Sequence, residues 1–592
     1  MAIEQPKESQ TPAVDDEASK LQLQDPYYGG PLGAGIDWTD PNSPLAPFYF
    51  STAGVVAAAL LAVAFFLLSI MPLMHTDFWS HLKYGEWIVT HWAIPSVEPL
   101  CRYTDKHRPF FDAMWLAQVV YFITFRAGEA LGGADQLRSF EGGVEVIRWL
   151  HLLAATVALA LFGWAIRQVS NSAAWGAVAI GYGIVLIQPL LAVQRPQTLA
   201  FVPFMLVLII LSKAVRAGDK QIPKRTILLL PLILLVWANL HGSFIVGLVL
   251  AGLTLAGHAG EKLVIGPERS LRQLAHDTFI QRWALALLIA VVAIAALNPY
   301  GPALYVRIAQ FGNHPNLRTM AEWQPLEWTL GPGGLWSYLF TVILLLATLL
   351  VTRRCFGLSR WLVLGVFGLW PLFQQRMMAW WTPLALWLVA PLWVDWAVSR
   401  NWNLSWGIPS FRKTALAGLI LLIGLVASPA SLWLKQGRPR SFATALYPAT
   451  PFGVAKALRN EPQEGSSRAQ RLLPLLQQAG ECPWQGPIFC SERLGEYLLW
   501  ALSEQAPVMM YNHAQLFTEE HWHQCLAAKE GQPEWDSILQ RYGARLLVVE
   551  TLYHPHLCMQ VRQHPQWEVL LDEGDVQQLP PDARLLVARR RP

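Results

Sequence analysis

The chain has 592 residues, 53% of them apolar and 15% charged, with 28 Trp, 41 Pro and a formal net charge of +4. The length exceeds one ordinary domain and the apolar share exceeds the soluble average, so the composition is that of a membrane protein with more than one part. A charge this small over such a length says nothing about nucleic acid, and no basic tract or recognition motif supports it, so no nucleic-acid partner is expected.

Residues 1–47 are acidic and rich in Pro and Gly, and they predict a disordered cytoplasmic tail. Asp15, Asp16 and Glu17 precede any apolar stretch, the reverse of a basic signal-peptide start, so the first span is expected to stay as an anchor. Runs long enough to cross a bilayer follow near 48–73, 146–166, 172–190, 198–214, 226–240, 243–258, 283–297, 335–352, 360–373, 378–398 and 414–434, which makes eleven. A further run, 114–131, is interrupted by Arg126 and Glu129 and is read as a helix lying flat in the interface. With that reading, alternate connections carry sixteen basic residues against four on the opposite side, Arg195, Arg307, Arg318 and Arg376. The basic side is the cytoplasmic one, which puts the N-terminus inside and the C-terminal region outside. Residues 48–436 therefore read as a transmembrane domain with a large first outer loop at 74–145.

From 437 to 592 the composition turns soluble. Helical patterns at 452–459, 468–478, 496–503 and 535–542 alternate with β-rich runs at 487–489, 507–511, 545–549, 567–571 and 584–588, predicting a small α/β domain with a closing hairpin. Cysteines 101, 355, 482, 490, 525 and 558 have no zinc spacing. Four of them fall in this region, where one or two disulfides or four buried thiols fit equally.

The sidedness gathers the out-of-place polar residues at one membrane face. Asp77, His81, Glu98 and Asp112 lie in the first outer loop, Arg195 and Gln197 in Gln-Arg-Pro-Gln, His241 in Asn-Leu-His-Gly, Asn298 in Asn-Pro-Tyr-Gly, Glu322 in Ala-Glu-Trp and Arg376 in Gln-Gln-Arg-Met. Ionisable groups at membrane depth are costly, so a shared cavity is the expected reason for them. Asp77 and His81 are four apart, on one helical face, where they can anchor a metal or take a proton from a hydroxyl; the bland alternative for Asp77 is a helix cap. Arg195 and Arg376 can hold a lipid phosphate bidentately, or simply snorkel to headgroups. His241 is either a ligand contact or a packed histidine, and Glu98, Asp112, Gln197, Asn298 and Glu322 are secondary candidates beside turn and cap roles. The pair Trp380-Trp381 reads as interfacial belt anchors rather than as sugar-stacking rings.

The order Asp-Phe-Trp-Ser-His-Leu-Lys-Tyr-Gly-Glu-Trp-Ile at 77–88, His-Trp-Ala-Ile-Pro at 91–95, Arg-Pro-Phe at 108–110 and Trp-Leu at 115–116 resembles the first outer loop of GT-C superfamily membrane glycosyltransferases. It looks similar to a bacterial multi-pass family that also carries Arg-Pro-Gln, Asn-x-His-Gly, Asn-Pro-Tyr-Gly and an outer Gly-Glu-Tyr-Leu element, here 495–498; the resemblance covers roughly 48–550. It implies a GT-C-like α-helical multi-pass protein of the bacterial inner membrane with its α/β domain outside. It implies a polyprenyl-phosphate-linked sugar donor and transfer with inversion among membrane lipids, and leaves room for a protein partner. An acid of the first outer loop is then the base or metal ligand, and Asp77 holds that place. The implied cofactor is a divalent cation, Mg or Mn, on Asp77 and His81. The family's paired acidic motif is missing, the nearest acid to Asp77 being Glu86. His81 substitutes for the second acid, or Glu98 or Asp112 folds back, or the chain is a non-catalytic scaffold that keeps the architecture.

Overall fold

A computed structural model describes residues 45–591 apart from 75–76, 218–223, 265–269, 328–333, 403–405, 462–465, 503 and 505. The predicted tail lies outside the described residues up to residue 44, as do Lys220, Arg269 and His75.

Among the described residues, seven helices are long and apolar enough to cross a membrane, and the pair Phe411–Ala427 and Pro429–Gln436, bent by 69°, makes up to eight. Three shorter apolar helices, Ala173–Leu186, Leu228–Leu240 and Leu358–Leu372, fall on the remaining predicted runs. The protein is thus a multi-pass membrane protein. Local chemistry sets the helix ends: Ser51 accepts a bond from Gly54 N–H at the start of α1 (Thr52–Ile70), and Asp135 does so from Arg138 at the start of α4 (Gln136–Ser170). Asn171, at φ 56°, ends α4 in the left-handed conformation that Asn tolerates. Outward faces remain apolar, with Val157, Leu288, Val292, Ile343, Leu350 and Ile423 exposed, as a lipid-facing surface requires.

Between α1 and α4 the first loop folds into α2 (Phe78–His91) and α3 (Trp115–Gly132), and α3 packs on both α2 and α4. α3 is the predicted interface helix and is not among the helices apolar enough to span. Gly85 permits this packing, because a Cβ there would run into the backbone carbonyl of Gln118 on α3.

The C-terminal region holds a four-stranded sheet in the order β1-β2-β4-β3, with β1 (Ile488–Cys490), β2 (Leu546–Glu550), β3 (Trp567–Asp572) and β4 (Leu585–Arg590). β1 and β2 are parallel, β2 and β4 antiparallel, and β3 and β4 form the predicted closing hairpin. The predicted run at 507–511 forms only a single bridge, Val508 to Ile488. Every residue of β1 and β2 is buried, which fits the apolar runs 488–490 and 546–549 and leaves Glu550 as a buried carboxyl at the end of β2. All six cysteines are free thiols, so the disulfide alternative does not hold.

One hydrophobic core joins the first loop to the C-terminal region: Phe78, Trp79 and Leu82 of α2 and Tyr121 and Phe125 of α3 share it with Tyr497, Leu546 and Val587. Trp79 is fully buried, with its ring 4.9 Å from that of Tyr497 and 4.7 Å from that of Trp500. Trp380 and Trp381 are also core residues rather than belt anchors. Trp380 packs among Phe201, Phe204 and Trp237, and Trp381 donates to Thr341.

Candidate functional site

At the end of the bundle where the first loop meets the C-terminal region lies a cavity of about 510 Å³. Asp77, His81, Asp112, Arg195, Gln197, His241, Glu322 and Arg376 all line it. Residues from six separate loops and helix ends thus converge at one end of the bundle.

Asp77 occupies the N-cap position of α2 but makes no capping hydrogen bond. The cap comes from Glu496, 416 residues away, whose Oε2 accepts from Ser80 N–H at 3.1 Å while Oε1 accepts from Asn512 N–H at 2.9 Å. Relieved of capping, the Asp77 carboxylate lies 3.5 Å from Arg195 Nε and 3.8 Å from His81 Nε2. Burial, with Asp77 adding like charge, pushes the Glu496 carboxyl up to about 8.

His81 is fully buried and oriented by a short relay. Gln118 Nε2 lies 3.1 Å from Asp112 Oδ1 and 3.0 Å from His81 Nδ1. Since a carboxylate only accepts, the amide donates to both, which makes His81 Nδ1 the acceptor and leaves Nε2–H facing Asp77. Asp112 is itself held by Tyr300, whose hydroxyl accepts from Asp112 N–H at 2.8 Å, and burial raises the Asp112 carboxyl to about 6.

The guanidinium side of the cavity is built on Glu322. Gln375 N–H donates to Gln324 O at 2.9 Å, setting the 3-10 turns Ala321–Trp323 and Gln375–Met377 side by side. Glu322 Oε2 accepts from Arg195 at 2.6 Å and its Oε1 lies 3.8 Å from Arg376. Arg376 also sits over the Trp323 ring, 4.1 Å from its centroid. Burial works against the charge of Arg195, but Glu322 and Asp77 outweigh it and hold the guanidinium above its ordinary range. Glu322 shows the converse: burial favours its neutral form, and the two arginines overcome that and lower it. His241 differs, since burial, reinforced by Arg376, drops it to about 3. It is therefore neutral at physiological pH and offers a hydrogen bond, not a charge; its Nδ1 is already taken by Ser243 N–H at 3.0 Å.

Two predicted residues lie outside this cavity. Glu98 is buried within the first loop, accepting from Leu100 N–H at 2.8 Å, Cys101 N–H at 2.9 Å, Thr104 Oγ1 at 2.9 Å and Tyr84 OH at 2.9 Å. Asn298 donates to Ala238 O at 3.2 Å and Asn239 Oδ1 at 3.1 Å, locking the Asn-Leu-His-Gly and Asn-Pro-Tyr-Gly elements together. Both shape the site from behind. Sequence reasoning did not single out Gln118, Asn512 or His513, and it named Glu496 only as part of the Gly-Glu-Tyr-Leu element; a glutamine inside an apolar run was a readable signal, whereas the others come from a soluble stretch where polar residues are ordinary.

The donor set does not fit a divalent cation on Asp77 and His81. Among the described residues no three His, Cys, Asp or Glu groups converge to hold one, and the face of Asp77 away from His81 meets the Arg195 guanidinium.

No protein-family model matches the chain, and no curated protein matches it in sequence. In structure it is similar to the oligosaccharyltransferase of Archaeoglobus fulgidus tethered with an acceptor peptide, with TM-score 0.50 and 12% identity over 84% of this chain and 68% of that one. The same archaeal protein in complex with Zn and sulfate gives TM-score 0.45 and 11% identity, over 84% and 68%. ArnT from Cupriavidus metallidurans bound to undecaprenyl phosphate gives TM-score 0.43 and 14% identity, over 90% of this chain and 97% of that one. At such identities the likeness is one of fold: the chain shares the multi-pass membrane fold of the archaeal oligosaccharyltransferase.

Proposed function

We propose that the chain is an inverting glycosyltransferase that moves a sugar from a polyprenyl-phosphate donor to an acceptor hydroxyl on the non-cytoplasmic face of the bacterial inner membrane. The observation that carries this reading is the Asp77 carboxylate, excused from capping α2 and set in a cavity with two arginines. Asp77 takes the proton of the acceptor hydroxyl, whose oxygen attacks the anomeric carbon from the face opposite the phosphate. The bond from that carbon to the phosphate oxygen breaks, and polyprenyl phosphate departs with the electron pair. Arg195 and Arg376 oppose the added charge, which matters more in a water-poor cavity than in solution. Glu322 holds the two guanidinium groups in place, and His81, oriented through Gln118, positions the Asp77 carboxylate. Ile245, Val246, Ile308 and Trp370 share the lining and supply apolar surface for the first isoprene units.

The test is transfer by purified protein from a panel of polyprenyl-phosphate sugars, with Asp77→Asn as control. A donor-dependent product lost in the variant, with folding unchanged, is expected. Product formation that survives Asp77→Asn removes Asp77 as the base, and no product or bound donor across the panel removes the reading.

A further inference from the structure

A second chamber of about 230 Å³ adjoins the cavity at Asp77, and the two share Phe110, Phe111, Phe311, Gln515 and Leu516 in their linings. The helix Ala303–Phe311 stands between them. Its Ile308 lines the cavity at Asp77, whereas Arg307 and Gln310, three apart on one face, line the chamber. Arg108 of the first loop and His314 complete the polar side. Among the described residues, none that lines the chamber belongs to a helix apolar enough to span a membrane. Its walls come from the first outer loop, the segment 307–314 and the C-terminal region, which suits the arrival of a polar molecule rather than a lipid.

Charge is unbalanced in this chamber. Arg195 and Arg376 are answered by Glu322, but among the described residues neither Arg108 nor Arg307 forms an ion pair. Arg307 rests against the Phe111 and Tyr300 rings, 5.7 and 5.5 Å from their centroids, and Arg108 Nη1 donates to Gln515 O at 3.4 Å. Arg108 is exposed and Arg307 half-buried, so most donors of both guanidinium groups are accessible and unused. Of the two acids in the lining, Glu98 is answered by Lys106 Nζ at 3.2 Å, and Asp105 Oδ1 accepts from His107 N–H at 3.0 Å. Asp105 alone thus stands against two guanidinium groups. His314 adds a neutral donor: burial, then Arg108, holds its imidazole below the ordinary range, and its Nδ1 accepts from Asn316 N–H at 3.2 Å, which puts the proton on Nε2.

The charges narrow the ligand. A cation would face Arg108 and Arg307, and a neutral molecule would leave their charge unmet. An oxyanion meets both, because each guanidinium fork binds it through charge-assisted hydrogen bonds. Resting on the transfer reading above, we propose that the chamber holds a phosphate or carboxylate of the acceptor, so that the acceptor is an anionic molecule whose hydroxyl extends past Phe111 and Phe311 to Asp77.

The experiment is saturation-transfer NMR on the full chain, without donor, in a zwitterionic detergent, with glucose 6-phosphate and glucuronic acid as anionic probes and glucose as the uncharged control. At least one anionic probe should bind saturably, at least about tenfold more tightly than glucose. Arg108→Gln, a change to an exposed side chain, should weaken that binding, and Arg108→Gln with Arg307→Gln should remove the advantage over glucose; Arg376→Gln should keep it. Farnesyl phosphate, added as a competitor, should not displace the probe. An advantage that survives the double variant, is lost in Arg376→Gln or yields to farnesyl phosphate assigns the anion to the donor's arginines and overturns the proposal. Glucose binding as tightly as both charged probes overturns it too. Failure of the transfer reading shows itself separately, as absent product across the donor panel with this binding intact.

Discussion

The carboxyl of Glu496 makes the sharpest quantitative demand on this structure. In the folded chain it titrates at about 8, against an ordinary 4.5, so the folded state holds a proton that the unfolded chain has released. A group raised in this way stabilises the fold fully below its unfolded value, and the contribution is lost as pH rises to 8. At about 1.4 kcal/mol for each tenfold difference in proton affinity, the loss amounts to a few kcal/mol. The buried histidines act in the opposite sense and in a different window. His513 lies at about 3, through burial and then His81, so its stabilisation is complete above the ordinary 6.5 and fades only in acid. Between about pH 6.5 and 8, Glu496 is thus the group that should tilt the stability curve, downward with rising pH. Glu496→Gln removes the titration, and one of the buried donors, Ser80 N–H or Asn512 N–H, then faces the amide nitrogen at a cost of about 1–3 kcal/mol. Thermal unfolding of the purified chain, followed by tryptophan fluorescence across pH 6 to 9, should show a midpoint that declines in the unaltered protein and a lower, flat one in the variant. An unchanged slope in Glu496→Gln would refute the electrostatic account of the α2 cap.

Three further outcomes follow from the same geometry. Gly85→Ala must drive α2 from the Gln118 carbonyl, which belongs to backbone and cannot swing aside, so a destabilisation of about 1–3 kcal/mol should appear in denaturant titration together with loss of transfer. Arg195→Lys keeps the charge but cannot reach both Glu322 and Asp77 with one compact ammonium; initial-rate assays should show transfer reduced by about 10²-fold with an unchanged unfolding midpoint. Trp79→Ala, which empties the contact between α2 and the helix Glu492–Ala501, should cost about 3–5 kcal/mol, seen as earlier proteolysis of the C-terminal region.

Much of this architecture was legible because the bilayer enforces simple rules. Apolar runs of the needed length became helices, and the bias of Arg and Lys between connections ordered the loops. The same economy exposed Asp77, His81, Arg195, Glu322 and Arg376, since a charge among apolar spans carries a cost that only a shared cavity offsets. Glu98 and Asn298 drew notice for the same reason, yet their polarity is consumed by backbone and side-chain groups packed around them. Trp380 and Trp381 were misread because tryptophan at a span end suits headgroups and helix packing alike. Glu496 and Asn512 were out of reach for another reason: pairing Glu496 with Ser80 and Asn512 is a tertiary event that no local periodicity announces, and in a soluble stretch a buried glutamate looks like any surface one.

The joint core around Trp79 also fixes when, in the life of the polypeptide, the cavity can exist. A nascent chain that has inserted every apolar helix still lacks the glutamate that caps α2, the Asn512-His513 wall and the sheet that supports them. Until the C-terminal region has left the ribosome, Trp79 lacks Tyr497 and Trp500, and Ser80 N–H lacks the Glu496 carboxylate. Membrane insertion and completion of the cavity are therefore separate milestones, and a prematurely terminated product would sit in the bilayer without the assembled site.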